Sequence, residues 1–127
     1  MLYSLVPEIN RHFGENFHDA PVEFEGVYFE MPQSKEWIRL DFAHEAATQE
    51  SETGVLRVLC FSTSPTLAYL LADKVKSFLD YTEIGSAIFG IGKGDGLGAV
   101  DYKNEIYQTA VLFDIEAVSV HCGRTTT

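Results

Sequence analysis

The chain has 127 residues, 46% of them hydrophobic, and its 19 acidic and 9 basic side chains give a formal net charge of −10. This length suits one domain that buries its own core, and this charge disfavours nonspecific binding to nucleic acids or anionic membranes. No stretch approaches the ~18–20 apolar residues that span a bilayer, and the first residues lack the basic start of a signal peptide. We therefore expect a small protein of the cytoplasm with no membrane segment.

The first predicted element is an amphipathic helix over residues 2–13. Pro7 falls where a helix tolerates proline best, so the first turn is expected near Ser4, and Gly14 is the expected stop. Residues 16–21 then read as a loop. The apolar residues recur at helical spacing and form one stripe: Leu2, Leu5, Val6, Ile9 and Phe13.

Three strands are predicted next. Residues 22–29 alternate apolar and acidic side chains around a glycine, which predicts a strand with a bulge. Residues 37–42 alternate as a half-buried strand does, and the nearly continuous apolar run 55–61 is typical of a central strand. The polar run 45–53 between these two strands predicts a long, exposed and mobile hairpin loop.

The clearest predicted helix covers residues 66–80. Ser64 and Pro65 precede it and supply the chemistry of a helix start. Its apolar stripe, which we expect to face the core, comprises Leu67, Leu70, Leu71, Val75, Phe78 and Leu79.

The last third of the chain is predicted to form two strands joined by a glycine-rich connection. Residues 87–91 predict a short strand, residues 90–98 a flexible glycine-rich connection, and residues 106–120 a long strand with two distinct faces. The whole pattern predicts an α+β fold, a mainly antiparallel β-sheet with two helices packed on one face. We expect one domain over residues 1–120 and a polar C-terminal tail over 121–127.

The sequence lacks the residue spacing that common phosphate-binding, catalytic and metal-binding sites require. A phosphate-binding loop requires Lys followed by Ser or Thr at the start of a helix, but Lys93 is followed by Gly94 and a strand pattern. Cys60 lies in an apolar strand, which favours a buried, inert thiol. None of the four histidines has the partners of a metal site. We therefore predict no catalytic residues, no cofactor and no metal site.

The order of elements and several short segments carry a family resemblance. The segments are residues 20–29 leading into Pro32, the predicted strand 37–40, the loop ending at Gly54, the apolar run 55–59, the helical segment 71–75 and the closing strand 107–115. Over residues 2–118 this succession resembles the tail terminator, or tail completion, proteins of long-tailed bacteriophages.

The resemblance implies a structural role in the virion. Proteins of that family form a ring, commonly a hexamer, at the head-proximal end of the tail tube, where it stops tube polymerisation and presents a docking surface for the head. The implied partners are further copies of the chain, the tail tube protein and a head completion or neck protein. DNA would pass through the lumen without specific binding, no membrane would be involved, and assembly would take place in the host cytoplasm.

Two loops are the predicted assembly elements. We expect residues 45–53 and 90–98 to be disordered in the free subunit and to order on assembly. The charged side chains of these loops that we predict as assembly residues are Glu45, Glu50, Glu52, Lys93 and Asp95.

Three alternatives remain open at the level of sequence. One alternative is another neck, connector or minor tail protein, because such proteins share a similar small α+β architecture. The chain is also compatible with a small cytosolic ligand-binding module that uses the 90–98 loop, or with a host cytosolic adaptor.

Overall fold

A computed structural model describes residues 5–17, 22–24, 36–47, 51–101 and 105–118. Within these ranges two helices and seven strands follow one another, which confirms the predicted α+β class. Neither described helix has the length and hydropathy that a bilayer crossing requires. In chain order the elements are α1 (Val6–Asn16), β1 (Val22–Phe24), β2 (Glu36–Ala47), β3 (Ser51–Ser62), α2 (Pro65–Leu79), β4 (Glu83–Ile84), β5 (Ala87–Phe89), β6 (Lys93–Asp101) and β7 (Ile106–Val118).

The strands form one sheet in the order β1-β2-β3-β7-β5-β4, and β6 pairs with the first half of β7. Every pairing is antiparallel except β1 with β2, which is parallel. The predicted central strand, β3, lies between the two other long strands, β2 and β7. The mainly antiparallel sheet is therefore confirmed.

Both helices pack on the same side of this sheet, here called the helix face. In β3, Leu56, Val58 and Cys60 point to this face, and Arg57 between them points to the other, here called the opposite face. The alternation in the sequence thus selects which face the helices cover. The largest fully buried side chains of this core are Ile9, Phe13, Ile38, Leu40, Leu56, Leu71, Leu79, Ile84, Phe89 and Phe113.

Helix α2 begins where the sequence predicts, but its buried stripe is different. The Ser64 hydroxyl accepts a hydrogen bond from the Leu67 backbone N–H at 3.5 Å, and Pro65 opens the helix. The prediction that Leu67 and Leu70 face the core is wrong, because they are 37% and 50% exposed. Leu71, Val75 and Leu79 of the predicted stripe are buried, together with the small residues Ala68 and Ala72. The buried side of the helix is therefore rotated away from Leu67 and Leu70.

Helix α1 does not stop at Gly14. It begins at Val6 and runs to Asn16, and the Phe17 N–H bonds the Phe13 carbonyl at 2.8 Å. The Phe13 ring stacks on that of Phe17 at 5.5 Å, and both meet Phe78 of α2 edge-on. This packing offsets the roughly 1 kcal/mol by which glycine disfavours a helix. The predicted start at Ser4 lies outside the described residues, as does most of the predicted 16–21 loop.

The prediction of a loop over residues 45–53 is wrong for most of that range. Strand β2 continues to Ala47 and β3 begins at Ser51, with Glu45 opposite Gly54 and Ala47 opposite Glu52. Polar side chains do not prevent this pairing, because a sheet ladder uses backbone groups and antiparallel strands tolerate a solvated face. Residues 48–50, including Glu50, lie outside the described part.

The glycine-rich stretch is mostly a strand, so the predicted flexible connection is also wrong. Strand β6 runs antiparallel to β7, with Lys93 opposite Leu112 and Gly98 opposite Gln108. The register shifts between Gly94 and Leu97, where Gly96 has a φ of +75°. A bulge with a left-handed glycine lets the strand follow the long edge of β7 despite its composition.

Strand β7 forms the predicted long strand as far as Val118. Its Val111, Phe113 and Ile115 side chains share one face, as the alternation predicts, and they are buried on the helix face. Ahead of it, the predicted strand 87–91 is confirmed only over β5, and β4 pairs with β5 in a hairpin that we did not predict. The turn of that hairpin has Gly85 at a φ of +58°. The predicted tail 121–127 lies outside the described residues.

Candidate functional site

The predicted assembly residues do not form a single cluster. Glu45 belongs to β2, and Glu52 of β3 pairs with Ala117. Lys93 and Asp95 belong to β6, where Lys93 is exposed opposite Leu112. Ala117, the partner of Glu52, lies five positions along β7 from Leu112, the partner of Lys93, which corresponds to about 17 Å of extended chain. Whether these residues take part in assembly stays a prediction.

The opposite face of the sheet begins with an apolar cluster. Trp37 of β2 lies across from Phe61 of β3, and their rings stack with centroids 5.1 Å apart and planes 6° apart. Leu59, Ile106 and Ala110 complete the cluster, and all five side chains are buried. This end of the opposite face is therefore stabilised by its own packing, without either helix.

An ion pair occupies the middle of the opposite face. Arg57 donates from Nε to Asp41 Oδ1 at 2.9 Å and from a terminal guanidinium nitrogen to Asp41 Oδ2 at 2.7 Å. The two residues lie directly across from each other on β3 and β2. Asp41 is only 4% exposed, so its carboxylate depends on this two-pronged contact for compensation.

A groove of about 570 Å³ lies at the far end of the opposite face. Its floor follows the strand register: Glu116 of β7 lies between Thr53 of β3 and Ile88 of β5, and Asp114 lies across from Val55. Tyr81 closes one side. Tyr81 and Ile88 are 74% and 48% exposed, so the groove presents apolar surface that a partner can cover.

The position of Tyr81 is set by the end of α2. The Lys76 ammonium contacts Asp80 Oδ2 at 2.5 Å, and the Gly92 backbone N–H donates to Asp80 Oδ1 at 2.6 Å. Tyr81 follows at a φ of +55°, and its N–H bonds the Gly90 carbonyl at 3.3 Å. The Asp80 carboxylate thus ties the helix end to the β5–β6 connection and directs Tyr81 to the groove.

The pKa of Asp80 reflects these contacts. Burial by itself would raise the pKa, but the hydrogen bonds from Lys76 and from the Gly92 N–H, with the charge of Lys76, lower it below its ordinary value. The carboxylate is therefore held ionised, and the link between α2 and the groove is a charged one.

The groove carries negative charge. Asp114 and Glu116 are both exposed in its floor, and the lining residues that the structure describes include no basic side chain. Apolar surface flanked by carboxylates suits a partner surface that combines an apolar side chain with a lysine or arginine.

A second exposed apolar surface lies on the outer side of α2. Leu67 and Leu70 line one edge of the helix together with Lys74, at i, i+3 and i+7. Tyr69, which is also 50% exposed, points to the other edge. This surface is on the helix face, so the sheet separates it from the groove.

The described residues show no other arrangement typical of a chemical site. Burial, with a smaller effect of the Glu36 charge, raises the pKa of the Cys60 thiol to about 12, so it is protonated at neutral pH. Within the described ranges no three His, Cys, Asp or Glu side chains gather as a metal site would need. The glycines after β5 lead into β6 rather than into a helix, and a phosphate loop requires a helix there.

Sequence reasoning missed the groove because its parts come from positions between Thr53 and Glu116. Two local signals were present. Tyr81 directly follows the last turn of α2, and Ile88 alternates with the buried Ala87 and Phe89. Alternation places Ile88 on the opposite face, but only the sheet order brings it beside Glu116.

Comparisons with known proteins give a fold and no family. No protein-family model matches the chain, and no curated protein matches it. A solved chain from the virion of a native gene transfer agent particle is similar with a TM-score of 0.58 and 10% sequence identity, covering 92% of this chain and 99% of that one. A second solved chain, known only by a sequence identifier, gives a TM-score of 0.60 and 14% identity over 90% of this chain and 95% of that one. At these identities the likeness shows a shared fold, which extends over nearly the whole of all three chains.

Proposed function

We propose that this chain is a structural protein of a phage-like virion and acts as a tail terminator. Several copies form a ring, with six as the expected number, on the head-proximal end of the tail tube. The ring ends tube polymerisation and offers the surface on which the head docks. The observation that carries this proposal is the end-to-end likeness to a chain of a gene transfer agent virion, together with the element order that resembles tail terminators.

The surfaces of the chain support an assembly role. A ring requires two different contact surfaces on each subunit, because each copy must hold one neighbour on either side. Exposed apolar surface is present on both sides of the sheet, at the Tyr81 and Ile88 groove and at the Leu67 and Leu70 edge of α2. Such surfaces on a small protein are typical of sites that bind other proteins.

The charge of the chain supports the passage of DNA. A net charge of −10 repels phosphates and disfavours lasting contact with a duplex. The proposed partners are therefore proteins: further copies of the chain, the tail tube protein and a head completion or neck protein.

Tube assembly in the presence of the protein tests the proposal. Tail tube protein from the same virion would be polymerised with and without an excess of this chain, and electron microscopy would record tube lengths and ends. We expect shorter tubes with a ring at one end, whereas an unrelated acidic protein of similar size should leave length and ends unchanged. Unaltered tube growth with no density at either end would contradict a terminator role.

The same preparation separates the nearest alternative. If the protein binds purified neck or head completion protein but leaves tube growth unchanged, the terminator proposal is wrong and a connector role replaces it. Native mass spectrometry of both mixtures identifies which complex forms.

A further inference from the structure

The groove and the outer edge of α2 have complementary chemistry. The groove exposes two apolar side chains, Tyr81 and Ile88, beside the carboxylates of Asp114 and Glu116. The edge of α2 exposes Leu67 and Leu70 beside the ammonium of Lys74. Each surface thus offers an apolar centre, and the flanking charges are of opposite sign.

One acidic side chain borders this edge. Asp73 lies three residues after Leu70 and lines the same outer surface of α2 as Leu70 and Lys74, but on the side of Leu70 that is away from Lys74 and Leu67. Lys74 has no salt bridge within the described part of the chain, whereas Lys76 is engaged by Asp80. Around the helix, Lys74 lies between Leu67 and Leu70, so it is the charge that the two leucines flank, whereas Asp73 lies at the rim of this edge.

The two surfaces cannot meet within one subunit. The groove lies on the opposite face of the sheet, and α2 lies on the helix face. Contact between them therefore joins two copies through different surfaces, and repetition of such a contact closes into a ring when the rotation allows it.

From this geometry we infer that the groove of one subunit receives the Leu67, Leu70 and Lys74 edge of α2 from a second copy of the chain. Leu70 of one copy packs against Tyr81 and Ile88 of the next, and its Lys74 pairs with Asp114 and Glu116. This inference rests on the proposed ring and names the surfaces that build it.

Paired substitutions measured by analytical ultracentrifugation test the contact. Leu70→Asp damages the α2 edge and Ile88→Asp damages the groove, and both side chains are about half exposed, so circular dichroism should show an unchanged fold. Each variant alone should lose ring assembly, with the dissociation constant raised at least about tenfold. An equimolar mixture should form a dimer and nothing larger, because only one intact edge and one intact groove remain per pair.

A matched control lies on the same helix. Tyr69 has the same 50% exposure as Leu70 but belongs to the other edge of α2. Tyr69→Asp should therefore assemble like the unmodified chain. Loss of assembly equal to that of Leu70→Asp would overturn the inference.

Charge exchange provides a test that a folding defect cannot mimic. Lys74→Glu and Glu116→Lys should each weaken assembly, because each places two like charges at the contact. The two substitutions together in one chain should restore most of the assembly, because the acidic group on α2 of one copy then meets the basic group in the groove of the next. A double variant no better than the worse single variant would overturn the inference.

The outcomes also separate this inference from the proposed function. If the unmodified protein caps tubes while the Leu70 and Ile88 variants cap equally well, the inference is wrong and the function stands. An unmodified protein that stays monomeric at its highest soluble concentration also overturns the inference. If assembly follows the predicted pattern but tubes grow unchanged, the contact stands and the terminator role is wrong.

Discussion

The two faces of the sheet are built from the same strands and differ in what they contribute. On the helix face, residues from β2, β3, β7 and both helices form one continuous buried core. On the opposite face, a small aromatic cluster, one ion pair and an exposed acidic groove follow each other along the strands. Alternation along a strand therefore lets one face supply most of the stability while the other keeps surface available for partners.

The largest effect expected from this contrast concerns a glycine at the edge of the helix face. A Cβ at Gly92 would lie 2.7 Å and 2.8 Å from two ring carbons of Phe113 and 2.8 Å from Val111 Cγ1. Gly92→Ala should therefore lower the free energy of unfolding by about 1–3 kcal/mol, because a packed core accommodates added volume poorly. Urea denaturation followed by circular dichroism measures this change.

Gly94 provides the matched control for that substitution. It lies two residues further along the chain, and a Cβ there meets nothing within 4 Å. Gly94→Ala should change the free energy of unfolding by no more than about 0.5 kcal/mol. Equal losses at the two positions would contradict the close packing that we assign to the helix face.

On the opposite face, the ion pair is the expected point of weakness. Arg57→Leu leaves the carboxylate of Asp41 buried without its partner. We expect a loss of about 1–2 kcal/mol, at the lower end for buried pairs because the Arg57 side chain is 43% exposed.

The double variant Asp41→Leu/Arg57→Leu sharpens this result. With both charges gone, no carboxylate remains to be desolvated, so the double variant should be more stable than Arg57→Leu alone. The single variant Asp41→Leu completes the set. If the loss of stability in the double variant equals the sum of the losses in the two single variants, the pair is not coupled as its geometry implies. Thermal and urea unfolding of all three variants gives the coupling energy.

The smallest expected effect concerns the link between α2 and the groove. The folded state lowers the pKa of Asp80, so the stabilisation it supplies is complete above the unfolded pKa, roughly 4, and is lost as the pH falls through the folded value. Asp80→Asn should lower the free energy of unfolding by less than about 1 kcal/mol at pH 7, because the pair is partly exposed.

A comparison of the two proteins across pH checks this assignment. The difference between unmodified chain and Asp80→Asn should be constant near neutral pH and should shrink below about pH 4. A difference that grows on acidification would have the wrong sign for an ionised Asp80. Glu83 of β4 provides a matched control, since it is exposed and Glu83→Gln leaves the Asp80 contacts in place.

Local patterns in the sequence predicted the elements of the core well. Apolar alternation identified the strands around Ile38 and Phe113, and a nearly continuous apolar run identified the strand around Val58. Ser64 followed by Pro65 marked the start of α2. These predictions succeed because backbone geometry alone decides which side chains share a face.

Predictions failed where tertiary contacts outweigh local preference. The polar end of the β2–β3 hairpin and the glycines of β6 are weak strand formers, yet both pair along neighbours that the core already holds in place. Gly14 failed as a helix stop because Phe17 gains contacts with Phe78 when the helix continues. In each case the deciding contact lies outside the local segment on which the prediction rested.

By itself, the sequence determined the class of the fold, the faces of its long strands, and a charge that disfavours contact with DNA. Only the tertiary structure decided that Tyr81, Ile88, Asp114 and Glu116 share one groove, because that proximity depends on sheet order. It also decided that Leu67 and Leu70 remain exposed, since helical spacing defines a stripe but packing defines which side of it meets the sheet.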